Sequence, residues 1–379
     1  VKNRIETDKE NKTVKKIFRS RIAWNKEKEL LNIMYETDMV PQITGCDNNI
    51  LEMEYCEGIL ISDILSGHDA NSIIHVSELL VQWLENFQTV FHEETGAYIV
   101  LEDINPRNFI YNPDIDSITG IDFEAWHTGE KNENIISFIA LIKTAHFSNE
   151  DIKDKVYRHI LSYAKCLSDI SCISVESKIE SSVQSVINRR NAMQFIRNCD
   201  SVVIAGGKSS RMGSDKGLLA FNGYTFTDHI LYSLQIFDSV AISANSAVYS
   251  DFGCKVIGDK HYEKGPMAAL YAGLEASEKE WVFFIPCDMP FITTETILYM
   301  ASVADKNRDC IIAQCGGRIF PTVGFYSKKL MPQILHQLEN DNLKLMKLLE
   351  NADTQYIVID KVDEFVNINT KQDYEKIKG

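Results

Sequence analysis

The chain has 379 residues, longer than a typical single domain, and predicts two. Its 39 Lys and Arg against 54 Asp and Glu leave a net charge of −15, which argues against non-specific binding to nucleic acid or to an anionic membrane. Nine cysteines, odd in number and never spaced C-x-x-C, point to reduced thiols; with no apolar run near the roughly 18 residues that span a bilayer and no signal-peptide pattern in a highly charged start, the expectation is a cytoplasmic protein.

In chain order, the first half predicts a mixture of short strands and long helices. Val14, Ile17 and Phe18 in TVKKIF suggest a strand. Leu30, Leu31 and Met34 in KEKELLNIM have helical spacing. VPQI and NNILEMEYCEG read as further strands, and residues 77–94 as a strongly amphipathic helix. Residues 127–199 read as mostly helical. His92 and His146 lie in apolar helical patterns, where packed or surface imidazoles are expected rather than ligands.

Residues 100–126 carry a constellation suited to phosphoryl transfer. Asp103 is followed five positions later by Asn108, and Asp122 opens an Asp-Phe-Glu triplet. Such chemistry needs one carboxylate near the attacking hydroxyl. It also needs a carboxylate and an amide oxygen to hold Mg²⁺ against phosphates. The D-x-x-x-x-N and D-F-x pair resembles the catalytic and metal loops of the protein-kinase-like fold, most of all its small-molecule branch. That resemblance implies Asp103 as base, Asn108 and Asp122 as Mg²⁺ ligands, and Lys16, or alternatively Lys15, on ATP phosphates. Glu27 would pair with that lysine. Two departures stand out: no glycine-rich loop precedes Lys16, and Leu101 and Glu102 replace the usual residues before Asp103. An active phosphotransferase and a non-catalytic module both remain open for this half.

No Pro/Gly/Ser-rich linker separates the halves, and the expected boundary divides residues 1–198 from 199–379. From there strands and helices alternate, the pattern of an open, mostly parallel sheet with helices on both faces. SVAISAN, KVIGD, WVFFIPCDMPFI, CIIAQCGGRIFPTVGFYS, QYIVID and FVNINT supply strands. TDHILYSLQIF, GPMAALYAGLEAS, PQILHQLEN, LKLMKLLEN and KQDYEKIKG supply helices. Ligands in such sheets bind at the carboxyl ends of strands, where Gly206, Asn245, Asp259, Asp288 and Asn369 are expected.

The stretch SVVIAGGKSSRMGSDKGLLAFNG begins this half. A short strand runs into Gly206-Gly207, whose lack of a Cβ lets the backbone turn and approach a ligand. Successive N–H groups in such a loop can cradle an anion, and Arg211 and Lys216 add positive charge. Neither the P-loop spacing nor G-x-G-x-x-G is present. Asp288, after the most apolar strand and opposite the loop, is the expected Mg²⁺ anchor, since Mg²⁺ takes few protein carboxylates. Cys287 beside it reads as a small buried thiol.

This half resembles the molybdenum cofactor guanylyltransferases. Their pattern A-G-G-x-S-x-R-M-G-x-D-K-x-L-L is matched by Ala205, Gly206, Gly207, Ser209, Arg211, Met212, Gly213, Asp215, Lys216, Leu218 and Leu219. PCDMPF, GPMAAL and the terminal N-x-N-T-x-x-D (Asn367, Asn369, Thr370, Asp373) extend the likeness. Met267-Ala268-Ala269 departs from the more usual Leu-Ala-Gly. The resemblance implies a Rossmann-like nucleotidyltransferase domain using Mg²⁺, GTP and molybdenum-loaded molybdopterin. Ile204, Ala205, Gly206 and Gly207 would hold the nucleotide and Lys216 its phosphates, with Arg211 helping pyrophosphate leave. Asp259 and Asp288 would take the base-sugar side and the metal, and Asn245 would also bind nucleotide. Asn369 is a further candidate metal ligand. Use of CTP, or of a sugar phosphate as acceptor, is the alternative.

Overall fold

The computed structural model describes residues 3–147, 149–167, 172–205, 215–258, 261 and 264–378. Gly206, Gly207, Arg211 and Asp259 lie outside them. By contacts the chain forms two units. One, here the N-terminal unit, takes in Arg4–Phe18 and Ala23–Ile187. The C-terminal unit takes in Val1–Asn3, Arg19–Ile22 and Asn188–Gly379.

In the N-terminal unit, strands β1 (Arg4–Asp8), β2 (Thr13–Ile17), β3 (Ile43–Asp47) and β4 (Ile50–Glu54) form an antiparallel sheet. Its order is β1-β2-β4-β3, and helix α1 (Arg21–Ile33) connects β2 to β3. Along β2 the pleat sends successive side chains to opposite faces: Lys16 is buried, whereas Lys15 turns out to Glu52. VPQI does not form the expected strand; only Ile43 enters β3. Pro41 has no N–H for a ladder, and the Gln42 side chain donates to the Thr37 carbonyl instead.

The rest of this unit is larger and mainly helical. Strand β5 (Ile59–Leu60) and helix α2 (Ile61–Leu65) lead to α3 (Ala70–Thr95). Asp69 caps α3 by accepting from the N–H groups of Asn71 and Ser72. Gly96 ends it in the left-handed region, at φ 75°. Strands β6 (Tyr98–Leu101), β7 (Phe109–Asn112), β8 (Ser117–Gly120) and β9 (Trp126–Gly129) follow, then helices α4 (Glu133–Thr144), α5 (Glu150–Leu167) and α6 (Cys172–Ile196), whose residues from Asn188 on belong to the C-terminal unit. Trp83 and Phe87 of α3 stack on Phe123, which anchors the loop carrying Asp122. His92 stacks on Tyr98 with ring centroids 4.2 Å apart, a packed imidazole.

The C-terminal unit has one large sheet. Its strands are β10 (Cys199–Ile204), β13 (Val240–Ser243), β14 (Lys255–Ile257), β15 (Trp281–Pro286), β16 (Cys310–Cys315), β17 (Arg318–Ser327) and β18 (Thr354–Ile359). A hairpin of β11 (Ala220–Phe221) and β12 (Tyr224–Thr225) stands apart. The helices are α7 (Phe226–Ser233), α8 (Gly265–Ala276), α9 (Thr294–Ser302), α10 (Met331–Glu339), α11 (Leu345–Glu350) and α12 (Lys371–Lys378). The order is β14-β13-β10-β15-β17-β16-β18. Only β17 runs against its neighbours, so the sheet is mostly parallel.

Both faces are covered, as near-continuous apolar strands require. Val203, Phe283 and Ile285 pack with Ile230 of α7, Ile297 of α9 and Phe195 at the end of α6. Val202, Val282 and Phe284 pack on the other face with Leu270 of α8, Ile334 of α10 and Leu348 of α11.

FVNINT is not a strand. Val362–Phe365 is a 3₁₀ turn, and the next backbone donors go elsewhere. Ile368 donates to the Asp288 carbonyl at 2.9 Å. Asn369 and Thr370 donate to the Asp373 carboxylate at 3.2 and 2.9 Å. Among the described residues, no helix is long and apolar enough to cross a membrane.

Candidate functional site

At the carboxyl end of β10 the chain runs through buried Ile204 and Ala205. The Ala205 N–H donates to the Ser243 carbonyl and the Ile204 carbonyl accepts from the Cys287 N–H, both at 2.9 Å. These bonds align the ends of β13, β10 and β15, so residues leaving these strands emerge together. On the β13 side, Ala244 N–H donates to the Ile257 carbonyl at 3.0 Å. A Cβ built at Gly258 would lie 3.8 Å from Asn245 Oδ1.

After the nine residues 206–214, the chain is described again at Asp215. Lys216–Leu218 is a single 3₁₀ turn capped by the Asp215 side chain, which accepts from the Gly217 N–H. The turn presents Lys216, whose Nζ is 3.0 Å from Asp288 Oδ2 and 2.6 Å from Asn369 Oδ1. Three segments far apart in sequence thus meet at one ammonium. The loop bearing Asn369 is fixed by the bonds to Asp373 and by the Ile368 bond to Asp288 described above. Tyr374 adds a bond to the Ala220 carbonyl at 2.7 Å.

Asp288 is only half used by these contacts. Its Oδ1 is buried and has no hydrogen-bond partner among the described residues. Leaving a buried carboxylate oxygen unpaired is costly, and a cation would satisfy it. Asp288 is thus a residue that could hold a divalent cation such as Mg²⁺. Asn369 Oδ1 faces the same ammonium, placing a second hard oxygen beside the first. Cys287 is buried, and burial pushes its thiol well above the ordinary value, with Asp288 and Asp215 adding to the effect. A thiol so disposed is not a nucleophile at neutral pH.

Reading the sequence missed the residues that hold the Lys216 turn. Tyr249, fully buried, donates its hydroxyl to Asp215 Oδ1. Thr227 Oγ1 donates to the Gly217 carbonyl at 2.8 Å. Neither belongs to a motif; Asp215, already matched by pattern, was the one signal that something must bind there.

A second polar cluster lies in the N-terminal unit. Lys16 Nζ lies 2.5 Å from Glu27 of α1 and 3.5 Å from Glu124, and it also bonds Asp122. Burial works against the Lys16 ammonium, but the three carboxylates outweigh it and raise its affinity for the proton. Burial pushes Glu27 up to about 7, opposed by Lys16 and reinforced by Asp122 and Glu124. Glu27, Asp122 and Glu124 each offer an oxygen within 4.8 Å of the others, a set that could hold a metal ion. Asp122 has a positive φ of 71°. Asn108 donates its side-chain N–H to the Asp103 carbonyl at 3.1 Å, and its own carbonyl accepts from Ile121 at 2.7 Å. Asp103 and Asn108 are thereby tied to the segment entering Asp122. Glu124 was part of the Asp-Phe-Glu triplet without a role; the fold turns it toward Lys16.

Residues 201–355 match the MobA-like NTP transferase domain family. The probable molybdenum cofactor guanylyltransferase of Flavobacterium johnsoniae is 33% identical over 171 residues, covering 44% of this chain and 90% of that protein. The molybdenum cofactor guanylyltransferase of Vibrio campbellii is 33% identical over 178 residues, covering 45% of this chain and 91% of its own length. Among solved structures, the molybdopterin-guanine dinucleotide biosynthesis protein A of Archaeoglobus fulgidus aligns at 20% identity with a TM-score of 0.43, covering 47% of this chain and 96% of that one. The family assignment rests on the sequence relatives and not on this last likeness.

Proposed function

Because the C-terminal half of the chain belongs to the MobA-like molybdenum cofactor guanylyltransferases, we propose that it transfers GMP from GTP to molybdenum-loaded molybdopterin. The products are the guanine dinucleotide cofactor and pyrophosphate. The observation that carries this reading is the meeting of Lys216, Asp288 and Asn369 in one hydrogen-bonded cluster.

The terminal phosphate of molybdopterin attacks the α-phosphorus of GTP, and the bond to the bridging oxygen of pyrophosphate breaks. The enzyme's part is positioning and stabilisation of charge. Ile204, Ala205, Gly206 and Gly207 hold the nucleotide against the end of β10. Lys216 exchanges its resting partners for phosphate oxygens, and Arg211 balances the leaving pyrophosphate. Asn245 and Asp259 take the base and sugar side. Asp288, with Asn369, would hold Mg²⁺, which when bound supplies neutralising charge for the triphosphate.

Pyrophosphate release by the full chain, with GTP, CTP or ATP offered separately, tests the nucleotide. Release with GTP alone supports the reading. Release with CTP moves the product to the cytosine dinucleotide, and activity only with a sugar phosphate acceptor replaces molybdopterin.

A second reading concerns the N-terminal unit. The Lys16–Glu27–Asp122 cluster supports a kinase-like phosphotransferase, with Lys16 on ATP phosphates, Asp103 as base, and Asn108 and Asp122 as Mg²⁺ ligands. Binding of Mg-ATP by the full chain that is lost in Asp122→Ala but kept in Asp288→Ala supports it. No binding that depends on Asp122 leaves this unit a non-catalytic module.

A further inference from the structure

Lys216 does its proposed work from a turn of three residues, too short to fix its own direction. Its two neighbours supply what the turn lacks. On one side, Asp215 Oδ1 accepts both the Gly217 N–H, at 3.1 Å, and the Tyr249 hydroxyl. On the other, Thr227 Oγ1 donates to the Gly217 carbonyl at 2.8 Å. Both backbone polar groups of Gly217 are therefore taken by side chains. A Cβ at Gly217 would collide with the Tyr249 hydroxyl and come within 2.8 Å of Thr227 Oγ1. Only glycine admits so close an approach.

Each support is anchored elsewhere. Tyr249 comes from a 3₁₀ turn, Ala247–Phe252, and stacks on Phe252 with centroids 5.9 Å apart. Thr227 belongs to the first turn of α7, which a capping box fixes through Thr225 and Asp228. A buried tyrosine hydroxyl needs a partner, and this one finds the carboxylate that also caps the Lys216 turn. A hydroxyl bonded to a carboxylate is among the stronger hydrogen bonds.

We infer that Tyr249 is a positioning residue for nucleotide binding: through Asp215 its hydroxyl sets the turn that aims Lys216 at the nucleotide's phosphates. The inference rests on the nucleotidyltransferase reading above. The Tyr249 hydroxyl bonds Asp215, so on this reading its effect passes through the turn that bears Lys216.

The test is a thermodynamic cycle on the full chain. GTP binding with Mg²⁺ is titrated calorimetrically for the parent, Tyr249→Phe, Lys216→Ala and the double variant, with melting curves for each. Tyr249→Phe keeps the ring and removes the bond. It should weaken GTP binding about tenfold, as a small misplacement of a binding group does. The KM for GTP should rise while the KM for the acceptor holds. In the Lys216→Ala background the same change should have no further effect, since coupled residues are not additive. A purely structural role predicts equal losses in both backgrounds, and that result overturns the inference. So does a Tyr249→Phe protein with parental GTP affinity. Thr227→Val should repeat the phenotype and Thr227→Ser should not, which carries the test should Tyr249→Phe fail to fold. A parent chain that binds no GTP removes the proposed function itself; a parent that binds GTP beside an unimpaired Tyr249→Phe removes this inference alone.

Discussion

Replacing Asp288 by asparagine separates a structural ion pair from a functional one. The carboxylate lies 3.0 Å from Lys216 Nζ, with 17% of the Asp288 and 19% of the Lys216 side chain exposed. At that distance the attraction is about 5 kcal/mol for an effective dielectric of about 20. Desolvating two charges costs several kcal/mol for each ion, so the pair is close to neutral for stability. The unpaired Oδ1 adds a cost of about 1–3 kcal/mol. Asparagine keeps the shape, keeps an oxygen for Lys216 and drops the charge. Because the Lys216 ammonium loses its counter-charge but keeps oxygen partners and some solvent, the unfolding free energy should fall by about 1–2 kcal/mol, a shift of about 2–8 °C for a unit of this size. Turnover should fall by about 10²–10³, the usual result of removing one group that stabilises developing charge. Calorimetric melting and pyrophosphate release are measured on the same preparation. Near-parental turnover per folded molecule would refute the reasoning, as would a C-terminal transition lowered by more than about 10 °C, which would make Asp288 a structural residue.

Two further outcomes follow from the geometry. Gly217→Ala must displace the Tyr249 hydroxyl or Thr227, and overpacking of this kind costs about 1–3 kcal/mol; melting should register that loss and calorimetry a weaker affinity for GTP. In the N-terminal unit, Glu27 is raised from 4.5 to about 7, so between those values the folded state binds more protons than the unfolded one. Stability should then fall as pH rises across that window, and Glu27→Gln should flatten the slope of urea midpoints against pH; an unchanged slope would place the titrating group elsewhere.

Much of the C-terminal half was legible because its strands are short apolar runs buried on both faces, as in β15, and its helices carry clear periodicity. The segments that failed show what local pattern leaves out. FVNINT alternates like a strand, yet Asp288 and Asp373 claim its backbone donors, and neither is visible from the segment itself. VPQI failed because Pro41 and the side chain of Gln42 compete with the ladder. Lys216 and Asp288 could be named from sequence, and their 3.0 Å approach could not. Tyr249 and Thr227 belong to no motif and their partners lie 34 and 10 residues away, so the matched Asp215 was the one hint of them. In the N-terminal half the lysine, glutamate and aspartate were named from the resemblance to the kinase-like fold, whereas the inward turn of Glu124 depends on how the loop after Asp122 folds.

The central claim is tested most directly by the identity of the product. The full chain is incubated with Mg²⁺, molybdate-loaded molybdopterin and GTP labelled at the α-phosphate, and the products are separated. The account predicts that label passes into a guanine dinucleotide of the pterin with pyrophosphate released in equal amount, and that Asp288→Asn slows both by about 10²–10³. Label left in GTP, or recovered only as free GMP, from a folded protein would contradict it.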